Sequence, residues 1–263
     1  MSYKLVFDFD GVLVNSVSEA AVVAFSQACN RPLHKEDIDP LAFGLFIKER
    51  HHVQPAGDMC ILATWCSDNI DSRTSLSSAD YRSLVNSAPS DLRVRTRNFF
   101  QMRHAVKSLL GDSWYQLNSS YEPLVSKLRS ALGELGRQQK DIFICTNKNL
   151  TAVLDLCAYF EIPIEKENIY TGDNGATKIQ NLIAIANSLP RNQQATEFLF
   201  IEDSIKNLIE VISHQPLPNS AKLTPLLADW GYLGSEDLRV ATTNNIGITT
   251  QELVIAKLQE TCI

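Results

Sequence analysis

The chain of 263 residues has little of several features that would each assign it to a class of protein. No run of apolar residues reaches the roughly 18 that a membrane-spanning helix needs, so we expect no membrane segment. The apolar run at the N-terminus contains two aspartates and lacks a small-residue cleavage site, which argues against a secretory signal. Internal repeats and low-complexity segments are also lacking.

Cysteine patterns typical of metal or redox sites are missing as well. The six cysteines show no CxxC spacing, and no paired histidines accompany them as in a zinc site. Reduced thiols in a cytosolic protein are the ordinary interpretation, so we expect a cytoplasmic location. The sequence leaves the oligomeric state open.

An excess of positive charge is lacking too. Lys and Arg number 24 against 30 Asp and Glu, which gives a formal net charge of −6. This balance argues against a general nucleic-acid binder, because phosphate contacts need a basic face. It still allows a local positive pocket, because net charge describes the whole surface and not one cleft.

The sequence does contain a regular alternation of strand-like and helix-like segments. The strand-like segments are 4–9, 141–146, 167–171, 197–202 and a region near 222–229, and the helix-like segments among them are 122–136, 149–160, 178–188, 204–213 and 250–260. Strands separated by helices of this length predict a parallel sheet with right-handed crossovers.

Residues 18–110 differ in character, because they carry helix-like stretches without strong strand runs. These stretches are 18–29, about 42–52, 57–68, 79–86 and 91–110. The predicted fold class is therefore α/β: a Rossmann-like parallel sheet core, formed by 1–15 and 119–263, with an inserted and mostly helical domain at 16–118.

In an open parallel sheet, ligands bind outside the carboxyl ends of the strands. Polar and charged residues stand at four such positions here: Asp8 and Asp10 after the first strand, Thr146 and Asn147 after the second, Lys178 opening the helix after the third, and Glu202 with Asp203 at the end of the fourth. We therefore expect the functional site at this edge of the sheet.

The carboxylates at these strand ends predict a divalent metal. Ionised carboxylates beside apolar strands are costly unless they are paired or bound to a cation, and neighbouring carboxylates repel each other. Mg²⁺ prefers one or two carboxylates together with water and phosphate oxygens. Either acidic pair alone is compatible with an exposed turn, but two pairs at one sheet edge favour the metal.

The remaining polar residues allow two interpretations. Thr146 and Asn147 are either helix N-caps or, with the free N–H groups of a helix N-terminus, a seat for an anion. Lys178 is either a solvated surface lysine or a cation placed for a bound anion, since a cation at a helix N-terminus otherwise opposes the helix dipole.

Four segments in chain order resemble the motifs of the haloacid dehalogenase-like superfamily of phosphotransferases: LVFDFDGVLVNS, FICTNK, Lys178 in GATKIQ, and FLFIEDSIKNL. The motifs span residues 5–210, and residues 222–253 resemble the closing strand, loop and helix of phosphoglycolate-phosphatase-like members. Four motifs in order, each at a strand end or helix start, form a specific pattern. The helical insert occupies the position of that family's C1 cap, so we expect residues 16–118 to form a cap domain.

The resemblance implies a role for each matching residue. Asp8 is the nucleophile that forms an aspartyl-phosphate, and Asp10 is the general acid and base. The other implied residues are the phosphate-binding set Thr146, Asn147 and Lys178, and the Mg²⁺ set Asp8, Asp10 through its backbone carbonyl, Asp203 and Glu202, the last orienting a metal-bound water.

Asp10 narrows the expected activity. Dehalogenases and phosphonatases of this superfamily lack a carboxylate at the second position, and P-type ATPases carry threonine there. Asn15 and Val12 replace an aspartate and a threonine that are common in the family, but neither position is catalytic in the family.

The expected function is a Mg²⁺-dependent phosphatase acting on a small phosphorylated metabolite, with no nucleic-acid or membrane partner. Two alternatives stay open. One is a phosphomutase of the β-phosphoglucomutase type, which would need a sugar bisphosphate activator. The other is a catalytically silent regulatory or binding member of the same fold.

The insert gives no familiar specificity motif. Its basic residues include Arg73 and the series Arg93, Arg95, Arg97 and Arg103. We interpret the series either as a solvated basic face or as a surface that steers a second anionic group of the substrate. His51 and His52 are expected on the surface or in a loop rather than as ligands.

Overall fold

The structure of the chain, a computed structural model, describes residues 3–70, 75–135, 141–173, 176–189, 197–214, 217 and 221–261. The chain forms two compact units. The sheet unit comprises Met1–Asn15 and Ser120–Ile263, and the helical unit comprises Ser16–Ser119. The role of the insert as a cap domain stays a prediction.

The described strands are β1 (Tyr3–Phe7), β2 (Val14–Asn15), β3 (Ser119–Ser120), β4 (Ile142–Cys145), β5 (Ile169–Tyr170), β6 (Glu197–Glu202), β7 (Lys222–Ala228) and β8 (Gly247–Thr249). Six of them form one sheet in the order β5-β4-β1-β6-β7-β8, and its strand pairs are parallel. β2 and β3 form a separate two-stranded sheet. The predicted α/β class with a parallel sheet is confirmed.

The described helices of the helical unit are α1 (Val17–Ala28), α2 (Pro40–Glu49), α3 (Met59–Asp68), α4 (Ser78–Asn86) and α5 (Leu92–Leu110). Those of the sheet unit are α6 (Leu124–Leu135), α7 (Leu150–Tyr159), α8 (Lys178–Ser188), α9 (Ile205–Ser213), α10 (Asp237–Thr243) and α11 (Gln251–Thr261). Among the described residues, no helix is both long and apolar enough to cross a membrane.

Several predicted bounds differ from the observed ones. The predicted helix 42–52 is α2 followed by a 3₁₀ turn at Arg50–His52, and the first strand ends at Phe7 instead of residue 9. The helix predicted at 122–136 begins only at Leu124, and residue 136 lies outside the described part. α10 and β8 were not predicted. For β8 the reason is its length, because a three-residue strand shows too little alternation to be recognised.

The core of the sheet unit packs apolar strands against helices on the sheet faces. Val6 of β1, Phe143 of β4 and Phe200 of β6 are buried together with Leu182 of α8 and Leu208 of α9. Burial of each such side chain contributes about 1.5–3 kcal/mol. Strands buried on both faces read as continuous apolar runs, which is why the sequence predicted them.

Two arginines of α5 correct the interpretation of the basic series. Arg103 is buried, and its Nε lies 2.8 Å from Oε1 of Glu19 in α1. Arg95 is also buried, with its Nη2 2.6 Å from Oδ1 of Asp58. These two side chains are structural ion pairs of the helical unit, so neither alternative for the series is right for them. Arg93 and Arg97 are exposed, and Arg73 lies outside the described residues.

The histidines were expected on the surface or in a loop, and His52 lies in the 3₁₀ turn Arg50–His52 but not on the surface. His52 is buried, and its Nε2 lies 2.7 Å from the backbone oxygen of Leu76. The same nitrogen lies 3.3 Å from Oε2 of Glu49, a carboxylate that is also buried. His52 therefore belongs to the packing of the helical unit.

The described cysteines are free of disulfide bonds, namely Cys29, Cys60, Cys66, Cys145 and Cys157. The sixth, Cys262, lies outside the described residues.

Candidate active site

The strand order brings the predicted site residues to one edge of the sheet. β1 lies between β4 and β6, so the residues that follow these three strands emerge side by side. Asp8 directly follows β1, and its backbone N–H donates to Ile201 O at 2.8 Å. Thr146 directly follows β4, and its backbone N–H donates to Tyr170 O at 2.9 Å.

Three buried carboxylates lie together at this edge, and two of them contact the ammonium of Lys178. Asp8, Glu202 and Asp203 are 6%, 0% and 5% exposed, and each offers an oxygen within 4.8 Å of the others. Nζ of Lys178 lies 2.8 Å from Oδ1 of Asp8 and 2.6 Å from Oε2 of Glu202. It also donates to the backbone oxygen of Cys145 at 3.1 Å. Lys178 is therefore not the solvated surface lysine of the alternative interpretation.

Burial and crowding perturb the acids of this cluster. Burial and the charge of Glu202 raise the pKa of Asp8 to about 7, although Lys178 opposes both effects. Burial also raises the pKa of Glu202. Burial alone would lower the pKa of Lys178, but the charges of Asp8 and Glu202 outweigh it and raise that pKa, so the lysine stays an ammonium. Asp8 and Glu202 thus share the charge of one ammonium, and the carboxylate of Asp203 lies beside them.

Hydrogen bonds fix the orientation of Asp8. Its Oδ1 accepts from the backbone N–H of Phe9 at 2.7 Å and from Lys178. Within the described residues both contacts use Oδ1, which directs Oδ2 to another partner. A carboxylate held by one oxygen and presented by the other is suited to nucleophilic attack.

Glu202 and Asp203 are held differently. Glu202 contacts Lys178 through Oε2, while its Oε1 accepts from Ser204 N at 3.1 Å and from Asn207 Nδ2 at 3.0 Å. Asp203 accepts from the backbone N–H of Tyr232 through Oδ2 at 2.9 Å. Glu202 is thereby tied to Lys178, and Asp203 to the loop that follows β7.

Two glycines make room for Asp203. Gly11 has a φ of +83°, and a Cβ there would lie 1.9 Å from Oδ2 of Asp203. A Cβ on Gly231 would lie 2.2 Å from Cβ of Asp203. Sequence reasoning included this loop in the closing segment 222–253 but gave Gly231 and Tyr232 no role, and the available signal for them was a glycine shortly after the end of a strand.

Asp10 has a partner of its own, which sequence reasoning also missed. Nζ of Lys148 lies 3.0 Å from Oδ1 and 3.4 Å from Oδ2 of Asp10. The Asp10 side chain is 22% exposed, whereas the Lys148 side chain is 1% exposed. The sequence signal for a role of Lys148 was its position just before helix α7. This position is similar to that of Lys178, which begins α8.

Thr146 and Asn147 lie between β4 and α7. The N-cap of α7 is Asn149, so the interpretation of Thr146 and Asn147 as the N-cap is wrong. Thr146 is buried, and its hydroxyl accepts from the backbone N–H of Lys148 at 3.2 Å. Asn147 is half-buried beside it.

The donor set of this cluster fits a hard divalent cation. All candidate ligand atoms of Asp8, Glu202 and Asp203 are carboxylate oxygens, the donors that Mg²⁺ and Ca²⁺ prefer. The cluster carries more negative than positive charge in a buried place, which a dication offsets. The structure thus brings together three of the four predicted metal residues by their side chains.

The chain was compared with known proteins. No family model matches it, and no curated protein sequence matches it. Solved structures do match along almost the whole chain. A predicted phosphoglycolate phosphatase of Haemophilus somnus is 14% identical with a TM-score of 0.55, and 97% of each chain is covered.

Two further structures agree. A predicted phosphatase of Clostridium acetobutylicum is 15% identical with a TM-score of 0.54, covering 99% of this chain and 100% of that one. A haloacid dehalogenase-like hydrolase of Streptococcus pneumoniae is 15% identical with a TM-score of 0.53, covering 97% and 98%. At such identities the likeness concerns the fold alone: this chain has the fold of the haloacid dehalogenase-like phosphatases and hydrolases.

Proposed function

We propose that the chain is a Mg²⁺-dependent phosphatase that hydrolyses a small phosphorylated metabolite, with Asp8 as the covalent nucleophile. The observation that carries the proposal is the buried cluster of Asp8, Glu202 and Asp203, in which Lys178 contacts Asp8 and Glu202. Its excess of negative charge suits a metal ion, and its single ammonium suits a phosphate oxygen. The fold neighbours named as phosphatases and hydrolases support the same class of reaction.

In the first half-reaction, Asp8 attacks the phosphorus of the ester through Oδ2, while Phe9 N and Lys178 hold Oδ1. The new oxygen–phosphorus bond forms as the ester bond to the leaving alcohol breaks. Asp10 gives its proton to that alcohol. Bound Mg²⁺ would supply neutralising charge to the phosphoryl group, and Asp8, Asp203 and the Asp10 backbone carbonyl would hold it, with Glu202 orienting a water on it.

In the second half-reaction, Asp10 takes a proton from water as that water attacks the aspartyl-phosphate. The bond between phosphorus and Asp8 breaks, inorganic phosphate leaves and the Asp8 carboxylate is restored. Thr146, Asn147 and Lys178 hold the phosphoryl oxygens in both steps. Phosphoryl transfer depends mainly on such alignment and charge neutralisation.

The test is a panel of phosphorylated metabolites incubated with the protein in Mg²⁺ and in EDTA, with released phosphate as the readout. We expect release in Mg²⁺ and a loss to background in EDTA. Equal release in both would contradict the metal dependence. Isomerisation of a sugar phosphate without release, dependent on a bisphosphate activator, would identify a mutase, and no turnover of any ester would favour a silent member of the fold.

A further inference from the structure

We propose that Lys148 is a positioning residue that holds the carboxyl group of Asp10 in place, so that its protonated form can give its proton to the leaving group. This inference rests on the proposed function, because it assigns a task to a partner of the proposed acid and base. Nothing in the sequence motifs assigned Lys148 a role.

The contact geometry is that of an anchor behind a reactive group. The ammonium lies 3.0 Å and 3.4 Å from the two oxygens of Asp10, so it restrains the rotation of the carboxylate. The lysine side chain is 1% exposed, whereas that of Asp10 is 22% exposed. The carboxylate therefore keeps an open side while the lysine stays enclosed.

Lys148 occupies a place that is costly for a cation. Removal of an ammonium from water is expensive, and an apolar side chain of similar volume is often at least as stable in such a position. Lys148 also stands immediately before Asn149, the N-cap of α7, where the helix dipole disfavours a cation. Two separate penalties thus fall on one residue, and the contact to Asp10 helps to offset them.

Asp10 has a mechanistic need for such an anchor. It leaves β1 through a turn in which the N–H of Gly11 donates to Val14 O at 2.9 Å, so the backbone is held there and the remaining freedom of Asp10 is that of its side chain. A displacement of about 1 Å in a catalytic group can lower a rate about 100-fold. A buried cation that contacts both carboxylate oxygens limits this displacement.

The two aspartates after β1 therefore have separate lysines. Lys178 binds Asp8 and Glu202 at the proposed phosphoryl centre. Lys148 binds Asp10, the residue that handles the leaving group. Loss of Lys148 is thus expected to damage proton transfer and to leave phosphate binding nearly intact.

The experiment compares wild type, Lys148→Met and Lys148→Arg on two esters. p-Nitrophenyl phosphate releases an alcohol that departs without a proton, whereas β-glycerol phosphate needs one. The ratio kcat/KM is measured because it reports the steps up to phosphoryl transfer and excludes the later hydrolysis. For Lys148→Met we expect about a 100-fold loss on the alkyl ester and less than about a 3-fold loss on the nitrophenyl ester. The inhibition constant of inorganic phosphate should stay within about 3-fold, and Lys148→Arg should recover a large part of the alkyl activity.

Lys222→Met is the matched control, because it also breaks a 3.0 Å lysine–carboxylate contact in the sheet unit, with Glu197, but that lysine is 73% exposed. This variant should leave kcat/KM unchanged on both esters.

Two results would overturn the proposal. If Lys148→Met lost activity equally on both esters and phosphate inhibited it more weakly, Lys148 would be a phosphate ligand. If the variant lost no more activity on the alkyl ester than on the nitrophenyl ester, Lys148 would have no part in proton transfer. Thermal melts verify folding, and if Lys148→Met is unfolded, Lys148→Gln is judged by the same ratio. A wild type that hydrolyses neither these two esters nor any member of the metabolite panel in Mg²⁺ removes the proposed function and this inference with it. An active wild type with an unselective Lys148 variant refutes this inference alone.

Discussion

The Asp8→Asn variant is expected to be more stable than the wild type at pH 8 in the absence of divalent metal. Asp8 is buried beside Glu202, and its pKa rises from 3.8 to about 7 in the folded chain. The folded state therefore prefers the protonated acid. The resulting stabilisation is complete below pH 3.8 and is lost as the pH rises towards 7 and the buried carboxyl ionises.

The magnitude follows from the two pKa values. The difference between 3.8 and about 7 corresponds to about 4 kcal/mol in the free energy of unfolding. An asparagine at this position avoids the ionisation but weakens the contact to Lys178. We therefore expect a gain of about 2 kcal/mol at pH 8, which raises Tm by roughly 4–8 °C for a chain of this size.

The assay is thermal unfolding in EDTA from pH 4.5 to pH 8.5. The advantage of Asp8→Asn should shrink as the pH falls, because the wild-type carboxyl becomes protonated. Mg²⁺ at a hundredfold excess over its Kd should stabilise the wild type by about 2.7 kcal/mol, and it should stabilise the variant less. Asp229→Asn is the control, since Asp229 is exposed and the same exchange there should change stability by less than about 0.5 kcal/mol. A variant no more stable than wild type at pH 8, or a pH-independent difference, would refute the reasoning.

Two further predictions concern the proposed metal ligand Asp203 and the ion pair of Arg103. Asp203→Asn should weaken Mg²⁺ binding in calorimetry and reduce turnover to near background while the melting curve is retained, and unchanged metal affinity would remove Asp203 from the metal site. Arg103→Ala should destabilise the chain by about 3–5 kcal/mol in denaturant unfolding, because it leaves the buried Glu19 unpaired. Arg97→Ala, which changes an exposed arginine of the same helix, is its control and should have little effect.

Local sequence patterns predicted most strands of the sheet and the residues at the ends of those strands. β6 and α8 have the predicted bounds, because a six-residue apolar strand and a helix that opens at Lys178 are strong local signals. The four carboxylates were recognisable because each follows an apolar strand. Their proximity followed from the rule that parallel strands end at one edge of a sheet.

Pairings between distant side chains could not be predicted in the same way. Lys148 and Asp10 are separated by 138 positions, and Arg103 and Glu19 by 84. The contact from Tyr232 to Asp203 spans 29 positions and depends on a loop whose path no periodic pattern describes. Both interpretations of the basic series, a solvated face and a substrate-steering surface, rested on charge alone. Neither considered that a buried arginine is satisfied when a carboxylate on a neighbouring helix faces it.

The most direct test of the account is the covalent intermediate on Asp8. Asp10→Asn should still bind p-nitrophenyl phosphate and lose the nitrophenolate unaided, but it lacks the base that activates water, so the aspartyl-phosphate should accumulate. Acid quench followed by intact mass and peptide mapping should find one added phosphoryl group on the peptide that contains Asp8, in Mg²⁺ and not in EDTA. The double variant Asp8→Asn, Asp10→Asn should carry none. A phosphoryl group on another residue, or wild-type turnover by Asp10→Asn without an intermediate, would contradict the account.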